Sequence, residues 1–405
     1  MSGYAVYLMF RGVRGLAAST AFTLNLVYQV HTVGLGPLQL ILVGTVLELT
    51  CLIAQVPTGI VADLYSRKLS VVLGCLLTGV GVLIEGLIPA LFAVLAGNVV
   101  WGIGATCIDG AEEAWVADEL GAARAGAAFA RGSQLGRAGT VLGIGASVAL
   151  ASIRLNLPLV VGGGLWLLAG LGLAVMLPER HFARPVERAS FGAMRAQIGA
   201  GLAVVQRRPS LVRLLVATVL IGMTAEGLDR LGQAHFLADL AFPAVGTPAV
   251  WFGVLGVLAL VGSIGLTELV RHRADAAAPA AAGRVLVGFE AGTAIAIAVF
   301  ALGGSFWLAA AAYLAIGMLR AATAPLFSTW LVGQTETATR ATVFSLAGQA
   351  DAAGQLTGGL PVGFIGSRLG IGAALLSVSL LLVSAVALLH RALGHRPAPV
   401  PAPAA

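Results

Sequence analysis

Long apolar runs recur along the whole chain, each bounded by a short cluster of glycine, proline or charge. A helix crossing a bilayer needs about 20 mostly apolar residues. The runs meet that length twelve times. They predict spans at 6–30, 37–61, 69–89, 91–113, 127–151 and 157–177 in the first half, and at 211–236, 249–270, 285–302, 306–330, 342–365 and 370–389 in the second. The stretch 179–209 between them carries Phe191, Met194, Ile198, Leu202 and Val205 at spacings of three and four, one face of a helix lying on the membrane surface. After residue 392 the chain ends in a Pro/Ala-rich tail, 393–405, expected to be extended and disordered.

Composition sharpens this picture. Hydrophobic residues make up 58% of the 405 positions and charged residues only 10%. Soluble domains average about 45–50% and about 25%, so the polar groups that would cover a water-facing surface are missing. The expected fold class is an all-α polytopic membrane protein. The 54 glycines, many inside apolar runs, would weaken soluble helices. In a bilayer they let helix backbones approach closely. Cys51, Cys75 and Cys107 fall in apolar runs without a C-x-x-C pair. They read as small apolar residues rather than disulfide or zinc partners. The histidines show no metal spacing, and no cofactor is expected.

Arg11 and Arg14 precede an apolar stretch, as in a signal peptide, but the run continues through 24–30 and more spans follow. The segment is therefore read as an uncleaved first span. The formal net charge of +6 matters less than its placement. With both termini in the cytoplasm, the inner segments hold Arg67, Lys68, Arg124, Arg131, Arg271, Arg273, Arg284, Arg340, Arg391 and Arg396, and the central loop adds six more arginines. The outer loops hold little beyond Arg154 and Arg368. This bias fixes a multi-pass orientation in the plasma (inner) membrane. Lipids are expected partners, and nucleic acid is not. A monomer is expected, since nothing requires a partner subunit.

The halves echo one another. Gly59 and Arg67 align with Gly265 and Arg273, with the acid moved from Asp63 to a position neighbouring its match, Glu268. A second echo pairs Arg124 with Arg340, Gly132 with Gly348 and Gly143 with Gly359. The predicted domains are a bundle at 1–178, the linker at 179–209, a bundle at 210–392 and the tail. Repeated bundles around a central site are a transporter design.

The segment GIVADLYSRK, Gly59 to Lys68, follows the second span and contains the only lysine in the chain. With twelve spans in two halves and a basic central loop, this G-x-x-A-D-x-x-x-R-K pattern resembles the major facilitator superfamily over nearly the whole chain. The stretches EEAWVADELG and RATVFSLAGQADAAGQLTGG resemble its bacterial drug-efflux members, nearest the macrolide and tetracycline exporters. The resemblance implies two pseudo-symmetric six-helix bundles. It also implies a gating latch. Gly59 permits close helix contact, and Asp63 faces the start of the eleventh span near Thr342, where a helix N-terminus stabilises an anion. Arg67 pairs with an acid after the fourth span, with Asp118 the chosen partner, and Lys68 meets lipid headgroups. Two departures weaken the antiport signature: Asn98 replaces the arginine many members carry in the fourth span, and GRAGTVLGIG keeps Gly139, Gly143 and Gly145 without a proline.

A charge at mid-span costs about 2.5–3.5 kcal/mol on insertion scales and needs a reason. Glu48 lies in the second span. Asp109, Glu112 and Glu113 lie in the fourth, Glu226, Asp229 and Arg230 in the seventh, Arg320 in the tenth and Asp351 in the eleventh. A Glu226–Arg230 pair would leave Asp229 the less compensated acid. Arg320 could neutralise Asp351 or face an anionic substrate. Glu48, Asp229 or Asp109 is expected to carry a coupling proton or meet a cationic substrate. A structural ion-pair network is the competing reading for these groups, and for Glu113 and Glu119. Glu85 and Glu290, near span ends, are expected to reach water. Tyr28, Trp101, Trp115 and Trp330 are candidates to line a cavity for flat lipophilic ligands, and interfacial anchoring explains Trp115 and Trp330 at least as well.

Two transport readings stay open: export of lipophilic drugs or metabolites by proton antiport, and proton-coupled import of a small nutrient or ion. An intramembrane enzyme would need a nucleophile–base set or metal cluster, and neither H-E-x-x-H nor G-x-S-x-G occurs. A non-transporting sensor or scaffold is the remaining class.

Overall fold

A computed structural model describes residues 2–182, 205–206, 208–274, 279–335 and 340–393. The linker positions Phe191, Met194, Ile198 and Leu202, and tail residues from 394 on, lie outside the described residues.

The first half holds α1 (Gly3–Phe22), α2 (Asn25–Tyr28), a π-helical turn (Gln29–Val33), α3 (Pro37–Leu64), α4 (Arg67–Leu87), α5 (Leu91–Ile108), α6 (Ala111–Leu120), α7 (Ala122–Ala151) and α8 (Leu157–Met176). The second holds α9 (Pro209–Asp239), α10 (Pro248–Ala274), α11 (Pro279–Leu302), α12 (Phe306–Gln334), α13 (Arg340–Leu369) and α14 (Ile371–Leu393). Twelve of these described helices are 18 residues or longer, one for each expected span.

Two spans are not continuous. The first breaks after Phe22 and resumes through α2 and the π turn. The fourth, expected as one helix over 91–113, stops at Asp109 and restarts at Ala111. Gly110 sits at the corner with φ +78°, a left-handed conformation open to glycine at no steric cost.

Nine of the described helices are long and apolar enough to cross a membrane by composition alone. The spans left out are α1, α7 and α13. Arg11 and Arg14 interrupt α1, while Arg124, Arg131 and Arg137 interrupt α7. All three helices take part in glycine-mediated contacts that shelter a face from lipid. A Cβ on Gly15 would sit 2.2 Å from the Gly136 carbonyl oxygen, and one on Gly139 2.2 Å from that of Gly12. On Gly143 it would lie 2.6 Å from the Leu16 oxygen. Backbone therefore meets backbone between α1 and α7, as close packing in lipid requires.

The chain divides into two compact units, Met1–Arg188 with Arg230–Val257, and Ala189–Asp229 with Leu258–Ala405. In the first, α1 packs on α7 and α8, α4 on α5 and α8, and α3 on α5. In the second, α11 packs on α12 and α14, and α13 on α14. The scheme repeats: the third span of each half is flanked by the fourth and sixth. The α1–α7 contact also has a counterpart. A Cβ on Gly222 would meet the Asp351 oxygen at 2.2 Å, and one on Gly354 the Val219 oxygen at 2.0 Å. Gly358 presses on Met223. By these contacts Gly136, Gly139 and Gly143 correspond to Asp351, Gly354 and Gly358. The echo read from sequence, Gly143 with Gly359, is one residue out of register, because in so glycine-rich a segment identity alone does not fix the frame.

Gly139→Ala and Gly354→Ala are expected to destabilise the protein by about 1–3 kcal/mol through overpacking against backbone. Gly145→Ala and Gly348→Ala serve as controls, since nothing lies within 4 Å of either built Cβ. Thermal unfolding in detergent checks this; equal midpoints for all four variants would contradict the packing argument.

Candidate substrate and coupling sites

The broken fourth span creates the main charged site of the first unit. Had α5 continued, Asp109, Glu112 and Glu113 would share one helical face. The corner at Gly110 changes that arrangement. Arg14 on α1 gathers two of the acids: Nη1 donates to Glu112 Oε2 at 2.5 Å and Nη2 to Asp109 Oδ1 at 3.2 Å. Arg11, one turn earlier, donates from Nη1 to Glu112 Oε1 at 3.4 Å. The Glu112 side chain is only 5% exposed and Asp109 is 69% exposed. Glu113 is exposed and has no hydrogen-bond or ion-pair partner among the described residues. Glu48 is half-buried on α3, one turn before Cys51. In the sequence the acids stand out at mid-span, while Arg11 and Arg14 resemble the basic flank of a signal peptide. Their spacing of three near the middle of α1 was the available clue.

A second site lies in the other unit. Asp229 on α9 is gripped by Arg320 on α12, with Nη1 to Oδ1 at 2.5 Å and Nη2 to Oδ2 at 3.1 Å. This two-point pairing is the strong form of a guanidinium–carboxylate contact. It corrects the expectation of Asp229 as the less compensated acid of its helix and of Asp351 or substrate as the partner of Arg320. Asp351 instead accepts a hydrogen bond from Gln355 Nε2 at 2.9 Å on its own helix. Glu226 is buried and Arg230 half-buried on α9, and both take part in interactions.

Glu85 and Glu290 were expected to reach water; both are buried, at 0% and 5% exposure. Glu85, near the end of α4, accepts hydrogen bonds from Gln29 Nε2 at 2.7 Å and Asn98 Nδ2 at 3.3 Å. Its backbone oxygen accepts the Tyr28 hydroxyl at 2.9 Å. Gln29 opens the π turn, a local distortion found often at functional positions. Asn98, noted as a departure from the family pattern, thus serves as a neutral partner for a buried carboxyl. Glu290 on α11 has no hydrogen bond or ion pair among the described residues, with Arg320 within electrostatic reach.

The motif segment departs from expectation in part. Arg67 opens α4 and donates from Nη1 to Asp118 and, at 2.7 Å, to the Ala114 carbonyl oxygen. Asp63 is exposed, without hydrogen-bond or ion-pair partners among the described residues. Gly59 permits no close contact in this structure: no atom lies within 4 Å of its built Cβ. It lies inside α3, which runs on to Leu64, three residues beyond the expected end of the second span at 61. The Lys68 backbone N–H donates to Glu179 Oε1 at 3.0 Å, while Ser66 Oγ donates to Glu179 Oε2 at 2.6 Å. A carboxylate from beyond α8 thus caps the N-terminus of α4, where the helix dipole favours it. In the second half, Glu268 pairs with Arg271 at 2.6 Å and lies 3.0 Å from His272, both on its own helix.

The aromatic cavity is corrected too. Tyr28, Trp115 and Trp330 are buried in the interior of their units, at 1%, 3% and 1% exposure. Trp115 donates its indole N–H to the Pro178 oxygen at 2.6 Å. Trp101 alone of the four is partly exposed, and its ring lies 5.1 Å from that of Phe22.

Comparison with known proteins follows the same lines. The family model described as Major Facilitator Superfamily matches residues 3–358. The "Uncharacterized MFS-type transporter YxaM" of Bacillus subtilis (strain 168) is 22% identical over 240 residues, a match spanning 59% of this chain and 59% of the length of that relative. The nucleoside transporter NupG superposes with a TM-score of 0.80 at 13% identity, over 98% of this chain and 100% of its own. A bacterial homologue of the human lysosomal transporter Spinster, crystallised inward-facing and unoccupied, gives 0.75 at 15%, over 97% of both chains. A POT family transporter in complex with a thioalcohol-conjugated peptide gives 0.71 at 13%, over 96% and 95%. The solved structures share the fold of this multi-pass chain, and the family match over more than half of its length shows that it belongs to the Major Facilitator Superfamily.

Proposed function

We propose that the chain is a secondary active transporter that exports lipophilic drugs or metabolites in exchange for protons. It sits in the plasma (inner) membrane with both termini in the cytoplasm. The bundles at 1–178 and 210–392, joined by the linker 179–209, rock to give alternating access. The observation that carries proton coupling is the burial of Glu85 and Glu290. A buried ionised carboxylate needs a cation or a full set of donors. Glu85 has neutral amides as donors and Glu290 has no hydrogen-bond donor among the described residues; Arg230 and Arg320 lie within electrostatic reach, but neither acid forms an ion pair among the described residues. Each is a place where a proton can be taken up and released as the surroundings change. Asp109 and Asp229, held by arginines, are assigned instead to the neutralisation of Arg14 and Arg320. Glu48 and Asp351 remain secondary coupling candidates.

Gating is assigned to the motif segment. Arg67 and Asp118 tie the start of α4 to α6, which fixes the end of α3 that bears Asp63. Asp63 is then presented to the start of α13 near Thr342, and this contact forms and breaks as the bundles rock. Lys68 meets headgroups. The export direction rests on the two stretches that resemble drug-efflux members. The nucleoside, Spinster-like and peptide transporters that share the fold support carriage of a small organic solute.

The purified chain in proteoliposomes, given neutral, cationic and anionic fluorescent dyes and an imposed pH gradient, tests this directly. Gradient-driven efflux of at least one dye is expected. Growth loss on a single nutrient after gene deletion, with unchanged tolerance to every drug tried, would point to import instead. Glu85→Gln is expected to abolish gradient-driven flux while leaving substrate exchange at equal pH in place; unchanged gradient dependence would remove Glu85 as a proton carrier. Reversing the pair as Arg67→Asp with Asp118→Arg is expected to restore flux lost in either single variant, a coupling of about 0.5–3 kcal/mol. Additive losses would contradict the latch.

A further inference from the structure

We propose that the first unit contains a built anion-binding site at Arg11, Arg14 and Arg137, and that the transported solute bears a carboxylate or phosphate-type group. This rests on the transport reading above and names its substrate class.

The argument begins with position. α7 runs from Ala122 to Ala151, so Arg137 stands at its midpoint. A guanidinium at that depth must face protein or a water-filled cavity rather than lipid. It lines a cavity of about 270 Å³ with Arg11, Arg14, Gly15, Ala18, Ser133, Gly136 and Thr140. The glycine contacts between α1 and α7 bring the two helices close enough for side chains from both to converge there. Small residues at 15, 18 and 136 leave the space open.

Charge balance comes next. Arg11 and Arg14 share two acids, Glu112 and Asp109. Arg137 brings a third positive charge and has neither an ion pair nor a hydrogen bond among the described residues. Arg11 Nε is buried and donates to nothing. The hydroxyls of Ser133 and Thr140 are also without partners among the described residues. The cavity thus offers an uncompensated cation, a spare guanidinium donor and two hydroxyls. That is the recognition chemistry of a planar carboxylate or a phosphate oxygen. Its volume lies just below the range of about 300–1,000 Å³ for whole-ligand pockets, which suits the head group of an amphiphile. The equivalent contacts in the second unit put Asp351 where the first has Gly136, so the site is peculiar to the first half.

Four probes on one scaffold test the assignment: benzoate, phenylphosphonate, benzamide and benzylamine, titrated against the purified full-length chain by thermal shift. Benzoate or phenylphosphonate should bind at least about tenfold more tightly than the neutral and cationic probes, and the tighter of the two identifies a carboxylate-type or phosphate-type ligand. Arg137→Gln should weaken anion binding by about tenfold or more, with Arg137→Lys keeping part of it. Binding blind to probe charge, an unaltered Arg137→Gln titration, or no anion binding up to about 10 mM overturns the proposal. The wild-type panel decides even where a variant misfolds. Flux of a neutral dye without anion binding would remove this site and keep the transporter. Anion binding without any flux would do the reverse.

Discussion

Charge inside a bilayer must be answered by protein, because lipid cannot answer it. The close approach of α1 to α7 rests on this constraint. Glycine on both helices lets backbone touch backbone, and Arg11, Arg14 and Arg137 from the two helices then line one cavity. The same device joins α9 to α13, with Gly222, Gly354 and Gly358 at the contact. Both pairs include helices too polar to be recognised as spans by hydropathy, and both border a charged group. The glycine richness of the chain is thus the means by which polar chemistry is carried at mid-membrane.

The two units answer charge in different ways. In the first, two arginines share two acids across a broken span, with a third arginine left over. In the second, one aspartate and one arginine form a closed two-point pair. Buried Glu85 and Glu290 belong to neither arrangement. The packing scheme thus repeats between the units while the charged groups within it do not. On the proposed transport reading, the common frame supports matched motion, with the anion site and Glu85 in the first unit and Glu290 in the second.

Much of the frame was legible from the sequence. Twelve apolar runs became twelve long helices, and Arg67 meets Asp118 because a basic residue and an acid at neighbouring span ends have few other partners. What the sequence hid was tertiary pairing. Asp229 could not be matched to Arg320, because the helix that faces α9 is not encoded in local periodicity. Glu85 and Glu290 lie in runs whose ends look wet, and only packing reveals that neighbouring helices cover them. The break at Gly110 was invisible because one glycine among 54 carries no mark of its conformation. Trp115 and Trp330 look like interface anchors in one dimension and prove to be interior.

Alternating access, as proposed, would open the Arg14 and Arg137 region to water from each side of the membrane in turn. Replacing Cys51, Cys75 and Cys107 and introducing Ser133→Cys places a single thiol on the cavity wall. Its labelling by a membrane-impermeant maleimide, added from one side at a time, reads that access. Alternating access predicts labelling from both sides, with the balance shifted when the pH gradient is reversed. A thiol reached from one side only, at a rate indifferent to the gradient, would contradict it.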